Sequence, residues 1–86
     1  MSFFTYILYS DSKDRYYIGS TEDVIIRLGR HNAGATPSTK PGRPWRIVYT
    51  EKHSSKTDAL ARENYIKRMK SRKYIETIIG KGSAAG

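Results

Sequence analysis

Residues 15–32, with the sequence RYYIGSTEDVIIRLGRHN, decide the fold because they join the signals of a strand to those of a helix. Aromatic and β-branched residues before Gly19 predict a strand. The glycine itself marks either the end of that strand or a place where another group approaches its backbone closely. In the helix predicted next, Arg27 and His31 lie one turn apart on one face. That face is either ordinary solvated surface or the working side of a site.

Capping signals mark the two ends of this helix. Ser20 or Thr21 is predicted to cap its N-terminus, and Gly34 is predicted to end it. The apolar residues between these ends are spaced to form one buried stripe. They are Val24, Ile25 and Leu28.

Two further segments have the composition of strands. Residues 3–9 form a nearly continuous run of aromatic and branched residues, which predicts a central strand buried on both faces. Residues 45–53, WRIVYTEKH, alternate apolar and more polar residues, which predicts a half-buried strand. Its apolar positions are Trp45, Ile47 and Tyr49.

Two further helices are predicted toward the C-terminus. Ser54 or Ser55 precedes a helix from about residue 56 to residue 70, and a last short helix follows Ser71 and stops at Gly80.

The order strand, strand, helix, strand, helix, helix predicts an α+β fold, in which a small three-stranded antiparallel sheet is flanked by three helices. We predict one domain over residues 1–80 and a flexible tail over residues 81–86. Residues 32–44 form a loop that is long for so small a domain, and loops of this length are usually functional or mobile.

The composition favours a polyanionic partner. The 86 residues include 16 Lys and Arg against 8 Asp and Glu, and the resulting net charge of +8 favours nucleic acid. The chain has no cysteine, which excludes disulfides and thiolate metal sites. Its apolar N-terminal run is too short to span a bilayer and lacks the basic region of a signal peptide, so we expect a soluble, cytoplasmic protein without a membrane partner.

Glu63 is the first carboxylate to consider, because it lies next to the apolar side of its predicted helix and needs a partner there. One partner is Lys67, four residues further on, in a surface ion pair. The other is a hard divalent cation, since Mg²⁺ is often held by one or two carboxylates together with waters and substrate phosphates. The residues themselves leave both interpretations open.

Tyr6 and Tyr17 fall on neighbouring predicted strands, where tyrosine is usually present to pack. A tyrosine hydroxyl acts as a general base only if nearby positive charge or a metal lowers its pKa from about 10. Arg27 is a candidate for that charge. His31 is a candidate proton carrier, a phosphate donor, or a favourable cation near the C-terminus of its helix.

Basic residues elsewhere are candidates for contacts to backbone phosphates, with solubility as the alternative explanation. Several lie in the segment IKRMKSRK, which also contains Arg72 and Lys73, and others flank the long loop. The predicted nucleic-acid contacts are Arg30, Lys40, Arg43, Arg46, Lys67, Arg68 and Lys70.

Taken in order, these motifs resemble the GIY-YIG nuclease superfamily. The resemblance rests on Tyr6, on Tyr-Ile-Gly at 17–19, on Arg27 and His31, and on the helical segment ARENYIK that contains Glu63. It covers residues 3–79. It is closest to the small stand-alone bacterial branch, which is similar to the N-terminal nuclease module of the UvrC repair proteins and to homing endonucleases.

The resemblance implies roles for individual residues. Tyr6 stands at the tyrosine of the first motif, although Phe-Thr-Tyr replaces the usual Gly-Ile-Tyr, and Tyr17 stands at the tyrosine of the second. Arg27 and His31 match the catalytic helix, and Glu63 matches the metal-binding glutamate. The implied activity is a Mg²⁺-dependent endonuclease, with Mn²⁺ as a substitute, that cleaves DNA in repair or recombination.

Two other classes of function stay open at this point. One is a nucleic-acid-binding module that cleaves nothing. The other is an accessory subunit of a larger DNA-processing complex, whose larger protein partner supplies the targeting.

Overall fold

A computed structural model of the protein describes the backbone of residues 2–85 and the side chains of residues 2–81. Three strands form one antiparallel sheet in the order β2-β1-β3. The elements are β1 (Phe3–Ser10), β2 (Arg15–Thr21), α1 (Val24–Asn32), β3 (Trp45–His53), α2 (Lys56–Met69) and α3 (Arg72–Ala85). The predicted α+β fold, with β1 as the central strand, is confirmed.

The core consists of one cluster on each face of the sheet, because successive side chains of a strand point to opposite faces. On the first face, Tyr6, Leu8 and Trp45 pack beneath α1, and we call this the α1 face. On the second, Ile7 and Ile18 pack against α2 and α3, and we call this the α2–α3 face. Strand β1 is therefore buried on both faces, as predicted.

Strand β3 changes face partway along its length. The pairing with β1 shifts by one residue, which leaves Val48 without a partner as a β-bulge. Trp45 and Ile47 pack on the α1 face, whereas Val48 and Tyr49 pack on the α2–α3 face. The regular alternation of the sequence predicts that Trp45, Ile47 and Tyr49 share one face of the sheet. For Tyr49 this prediction is wrong, because the bulge turns its side chain to the opposite face.

The start of α1 differs from the prediction. Strand β2 continues through Thr21, so Ser20 and Thr21 are strand residues and do not cap the helix. The cap is Asp23, whose side chain accepts a hydrogen bond of 3.0 Å from the backbone N–H of Ile26.

The buried stripe of α1 is narrower than predicted. Val24 and Leu28 pack against the α1 face of the sheet. Ile25 is 70% exposed, so its predicted burial is wrong. The end of α1 agrees with the prediction, since the helix finishes at Asn32 and Gly34 adopts the left-handed conformation with φ of +80°.

Helix α2 is predicted well and the end of α3 is not. The Ser55 side chain caps α2 by accepting a hydrogen bond of 3.1 Å from the N–H of Asp58. Helix α3 passes through Gly80 and continues to Ala85, because an interior glycine costs only about 1 kcal/mol relative to alanine and does not by itself end a helix. The tail predicted over 81–86 thus begins inside α3, and its last residue lies outside the described part of the chain.

The long loop after α1 is folded against Trp45. The indole N–H of Trp45 donates a hydrogen bond of 2.6 Å to the carbonyl oxygen of Thr39. The Asn32 side chain bonds both the N–H and the carbonyl of Trp45, at 2.7 and 3.1 Å. A short 3₁₀ turn, Lys40–Gly42, completes the loop. The loop therefore lies along the edge of the α1 face.

Among the described residues, no helix combines the length and the apolar character that crossing a membrane requires.

Candidate active site

The Tyr6 hydroxyl is the centre of the candidate site. Tyr6 is completely buried on the α1 face, and its partner across the β1–β2 ladder is Gly19. A Cβ atom at Gly19 would lie 2.5 Å from the Tyr6 hydroxyl oxygen, so only glycine leaves room for the ring. Of the two predictions for Gly19, the close approach to its backbone is confirmed, and the end of the strand is wrong.

His31 lies against Tyr6 inside the core. Its Nε2 atom is 3.1 Å from the Tyr6 hydroxyl oxygen, and its Nδ1 atom is 2.8 Å from the hydroxyl oxygen of Thr39. Burial, together with the positive charge of Arg27, lowers the pKa of His31 below its ordinary value. The imidazole is therefore neutral at neutral pH. One of its ring nitrogens carries a lone pair that can accept a hydrogen bond, and it does not act as a cation at the end of α1.

The electrostatics of Tyr6 show which charges surround it. Burial raises the pKa of Tyr6 to about 12, the charge of Arg27 partly opposes this, and Tyr17 and Glu63 add to it. Side chains from β2, α1 and α2 therefore act on one hydroxyl group of β1. At neutral pH this hydroxyl keeps its proton.

Of the two candidate tyrosines, Tyr17 is the one that reaches solvent. It lies on β2 two residues before Gly19, is partly buried, and packs its ring edge-on against His31 with centroids 4.8 Å apart. The centroids of Tyr6 and Tyr17 are 6.4 Å apart, which confirms that the two tyrosines are neighbours. A substrate therefore meets Tyr17 before it meets the completely buried Tyr6.

Glu63 projects from α2 toward the end of β2. Its Oε1 atom accepts a hydrogen bond of 2.7 Å from the Ser20 hydroxyl, and its Oε2 atom accepts one of 2.6 Å from the Lys67 ammonium group. The ion pair with Lys67 is thus present, as the spacing predicts. The contact with Ser20 is missed by the sequence, which assigns this residue to a helix cap.

A cavity of about 290 Å³ lies next to Ser20, the residue that bonds Glu63. Ser20 and Arg27 line it from β2 and α1, and Lys56 and Ala59 line it from the first turns of α2. It is large enough for a phosphate group and opens directly onto the arginine. Sequence periodicity gives no sign of it, because its walls come from elements far apart in the chain.

The donor set fits a divalent cation held by one protein ligand. In residues 2–85, no three His, Cys, Asp or Glu side chains group closely enough to hold a metal together. Glu63 supplies one carboxylate, which suffices for Mg²⁺ when waters and substrate phosphates complete the shell. Each carboxylate oxygen retains a further lone pair, and the Lys67 side chain that bonds Oε2 is 46% exposed.

The seven basic residues predicted to contact nucleic acid are all exposed. Arg46 is paired with Asp11 at 3.0 Å and stacks over the Tyr9 ring, and Lys67 is paired with Glu63. Arg43 donates a hydrogen bond of 2.9 Å to the carbonyl oxygen of Lys40 within the long loop. Within the described chain, five of the seven have no carboxylate partner; they are Arg30, Lys40, Arg43, Arg68 and Lys70.

Comparisons with known proteins identify the family of this chain. The family model described as the GIY-YIG catalytic domain matches residues 2–75. UPF0213 proteins of Staphylococcus aureus strains Mu3 and N315 are each 37% identical over 78 residues, which covers 90% of this chain and 94% of theirs.

A solved structure gives the same result for the fold. The solution NMR structure of a UPF0213 protein from Bacillus halodurans superposes with a TM-score of 0.60 and 33% sequence identity, over 95% of this chain and 87% of that one. The fold, the order of the motifs and the family match therefore agree. This chain belongs to the GIY-YIG family, whose catalytic domain is that of a nuclease superfamily.

Proposed function

We propose that the protein is a metal-dependent endonuclease that hydrolyses phosphodiester bonds in DNA, with a role in repair or recombination. The observation that carries the proposal is that the charges of Arg27 and Glu63, together with the neighbouring Tyr17, act on the buried hydroxyl of Tyr6. Phosphodiester hydrolysis requires an activated water, stabilisation of charge on the phosphate oxygens, and stabilisation of the leaving oxygen. Tyr17, Arg27 and Glu63 match these three requirements.

Glu63 is the proposed ligand of a divalent cation, Mg²⁺ or in its place Mn²⁺. When bound, the cation would polarise the scissile phosphate and stabilise the charge on the leaving oxygen. The Ser20 hydroxyl holds the Glu63 carboxylate in place through its 2.7 Å hydrogen bond. Lys67 would exchange its contact with Glu63 for one with a DNA phosphate.

Arg27 is the proposed donor to the phosphate oxygens. It lines the cavity together with Ser20, and its charge reaches both Tyr6 and His31. A fixed guanidinium in a partly buried site stabilises charge that develops in the transition state more effectively than one in bulk water.

The two tyrosines take different parts in the proposal. Tyr17 is partly exposed and would contact the attacking water, either to orient it or to accept its proton. Tyr6 is buried and keeps its own proton at neutral pH. In the proposal it takes part as a neutral group that is hydrogen-bonded to His31.

DNA is the proposed partner because of the net charge of +8 and the exposed basic residues. These residues contact backbone phosphates in the proposal, which gives affinity without reading sequence. Recognition would then depend on DNA structure, or on a larger protein that supplies the targeting.

Cleavage of a panel of labelled substrates tests the proposal. Linear, nicked, flapped, branched and single-stranded DNA are incubated with Mg²⁺ or Mn²⁺ and with wild type, Glu63→Gln or Glu76→Gln. Glu76 is the matched control, because it is also a helix glutamate in an i,i+4 ion pair, with Arg72.

We expect products from wild type and Glu76→Gln, and none from Glu63→Gln. Equal cleavage by all three proteins would remove Glu63 from the mechanism. Salt-sensitive DNA binding without products from any of them would indicate a binding module. Negligible binding, together with a stable co-purifying protein, would indicate an accessory subunit.

A further inference from the structure

Thr39, in the long loop, contacts His31 on the side opposite to Tyr6. Its hydroxyl oxygen is 2.8 Å from the His31 Nδ1 atom, and its side chain is buried. We infer that Thr39 is a positioning residue that holds His31 as the Nδ1–H tautomer and leaves Nε2 free to accept the hydrogen bond of Tyr6. The effect on cleavage rests on the proposed function, whereas the tautomer does not.

Counting donors and acceptors decides between the two tautomers. In the Nδ1–H form, Tyr6 donates to Nε2, Nδ1 donates to Thr39, and the Thr39 hydroxyl donates to the carbonyl oxygen of Thr36 at 3.2 Å. Every group in this buried chain then has a partner. In the Nε2–H form, the imidazole donates to Tyr6, and the hydroxyl proton of Tyr6 loses its acceptor. An unsatisfied buried donor is costly, which favours the Nδ1–H form.

The position of the Thr39 hydroxyl is fixed by the loop around it. The carbonyl oxygen of Thr39 accepts a hydrogen bond of 2.6 Å from the indole of Trp45, and its backbone N–H donates one of 3.1 Å to Thr36. Trp45 belongs to β3 and to the core of the α1 face. The loop is thus tied to the sheet at the residue that contacts His31, which gives this long segment a specific task.

The tautomer matters for proton transfer at the site. With a lone pair on Nε2, His31 can take up the Tyr6 proton in the same step in which the Tyr6 oxygen accepts another, so Tyr6 stays neutral while the Nδ1–H of His31 stays bonded to Thr39. The proton that Tyr6 accepts comes from the water or from Tyr17, so one proton enters and one leaves the hydroxyl. With a hydrogen already on Nε2, this path is closed.

The experiment is ¹⁵N NMR of the imidazole nitrogens, since protonated and unprotonated ring nitrogens have distinct chemical shifts. Wild type, Thr39→Val and Thr39→Ser are compared, with Thr36→Val as the matched control. Thr36 lies in the same loop and enters the chain of hydrogen bonds only through its backbone carbonyl. Thermal melts establish that each protein is folded.

We expect the Nδ1–H pattern for His31 in wild type, Thr39→Ser and Thr36→Val. In Thr39→Val we expect a mixture of both tautomers, because there each tautomer leaves one buried donor, Nδ1–H or the Tyr6 hydroxyl, without an acceptor. An Nε2–H pattern in wild type would overturn the inference without any variant. An unchanged Nδ1–H pattern in folded Thr39→Val would overturn it as well, because the hydroxyl would then not set the tautomer.

Cleavage kinetics extend the test. Thr39→Val should lower kcat on the order of tenfold or more, by comparison with other residues that orient a histidine, and Thr39→Ser should restore it to within about threefold of wild type. The expected tautomer with no cleavage by wild type would leave the inference standing and refute the proposed function. Normal kcat in a Thr39→Val protein whose tautomer has changed would show that the tautomer does not serve cleavage.

Discussion

The two faces of the sheet are built from different chemistry, although the single strand β1 contributes to both. On the α1 face, Tyr6 is hydrogen-bonded to His31, and His31 is hydrogen-bonded to Thr39. All three side chains are buried. On the α2–α3 face, the neighbouring Ile7 packs against Ile18 and Ile66. One face thus buries a connected chain of polar groups that must all be satisfied, and the other buries mainly hydrocarbon, with Thr5 bonded to the carbonyl oxygen of Ala59.

This difference separates stability from chemistry. Apolar burial stabilises the fold in proportion to its area and requires no particular orientation of polar atoms. A buried chain of hydrogen bonds contributes little net stability but fixes orientation, because any member left without a partner is costly. The α2–α3 face therefore serves mainly as a scaffold, and the α1 face holds Tyr6 and His31 in place. Glu63 projects from α2 toward the end of β2 and is held there by Ser20.

The largest expected effect is a loss of stability from a mutation on the α2–α3 face. Ile66→Ala removes a completely buried side chain between α2 and the sheet and should lower the free energy of unfolding by about 2–5 kcal/mol. Urea denaturation measures this loss. Cleavage by the remaining folded protein should be unchanged, so a loss of kcat out of proportion to the folded fraction would break the division between the faces.

The next largest effect is a loss of cleavage rate from a mutation in helix α1, which covers the α1 face. Arg27→Ala should lower the cleavage rate on the order of 10²-fold, by comparison with the removal of one preorganised donor in other enzymes, and should leave the urea midpoint nearly unchanged. Arg30→Ala is the control, since Arg30 lies exposed on the same helix. It should weaken DNA binding without changing the rate at saturating DNA. A decrease of less than threefold for Arg27→Ala would argue against its proposed role.

The smallest effect is a difference in pH dependence between the faces. Because the pKa of His31 is lowered in the folded protein, the unfolded chain protonates first as pH falls below about 6.5. The folded state then loses stability down to the lowered pKa, whereas above about 6.5 the contribution of His31 is constant. Stability measured by urea denaturation should therefore decrease as pH falls below about 6.5, and by less in His31→Gln.

The α2–α3 face should respond at lower pH. Burial raises the pKa of Glu51, but the hydrogen bond from Tyr49 and the charge of Arg62 outweigh it, so the net shift is downward. Stability from this carboxylate is present above its ordinary pKa of about 4.5 and is lost as pH falls below it. Equal losses in wild type and His31→Gln above about pH 5 would contradict the assignment to the α1 face.

Local patterns predict most of the fold. The apolar run of β1 and the capping serine of α2 each depend on a few neighbouring residues, and both are confirmed. The failures are places where tertiary contacts override local signals. Ser20 and Thr21 have the composition of a cap, but pairing with Thr5 and Phe4 keeps them in the sheet.

The candidate site divides in the same way. Five residues come from motifs of fixed spacing, and the structure brings them together around one hydroxyl; they are Tyr6, Tyr17, Arg27, His31 and Glu63. Their roles stay predictions. Sequence gives no sign of the groups that orient them, Thr39 behind the imidazole and Ser20 behind the carboxylate. Both contacts span segments with no shared periodicity, so only the folded chain shows them.

The bulge at Val48 lets one strand follow two independent sequence rules. Before the bulge, Trp45 and Ile47 must fit the packing of the α1 face. After it, Tyr49 must fit the packing of the α2–α3 face. Mutations on either side can therefore accumulate separately. Deleting Val48 would remove the register shift and move the side chains on one side of it to the opposite face of the sheet. The bulge therefore lets residues of the α1 face change without changing which residues of β3 pack on the α2–α3 face.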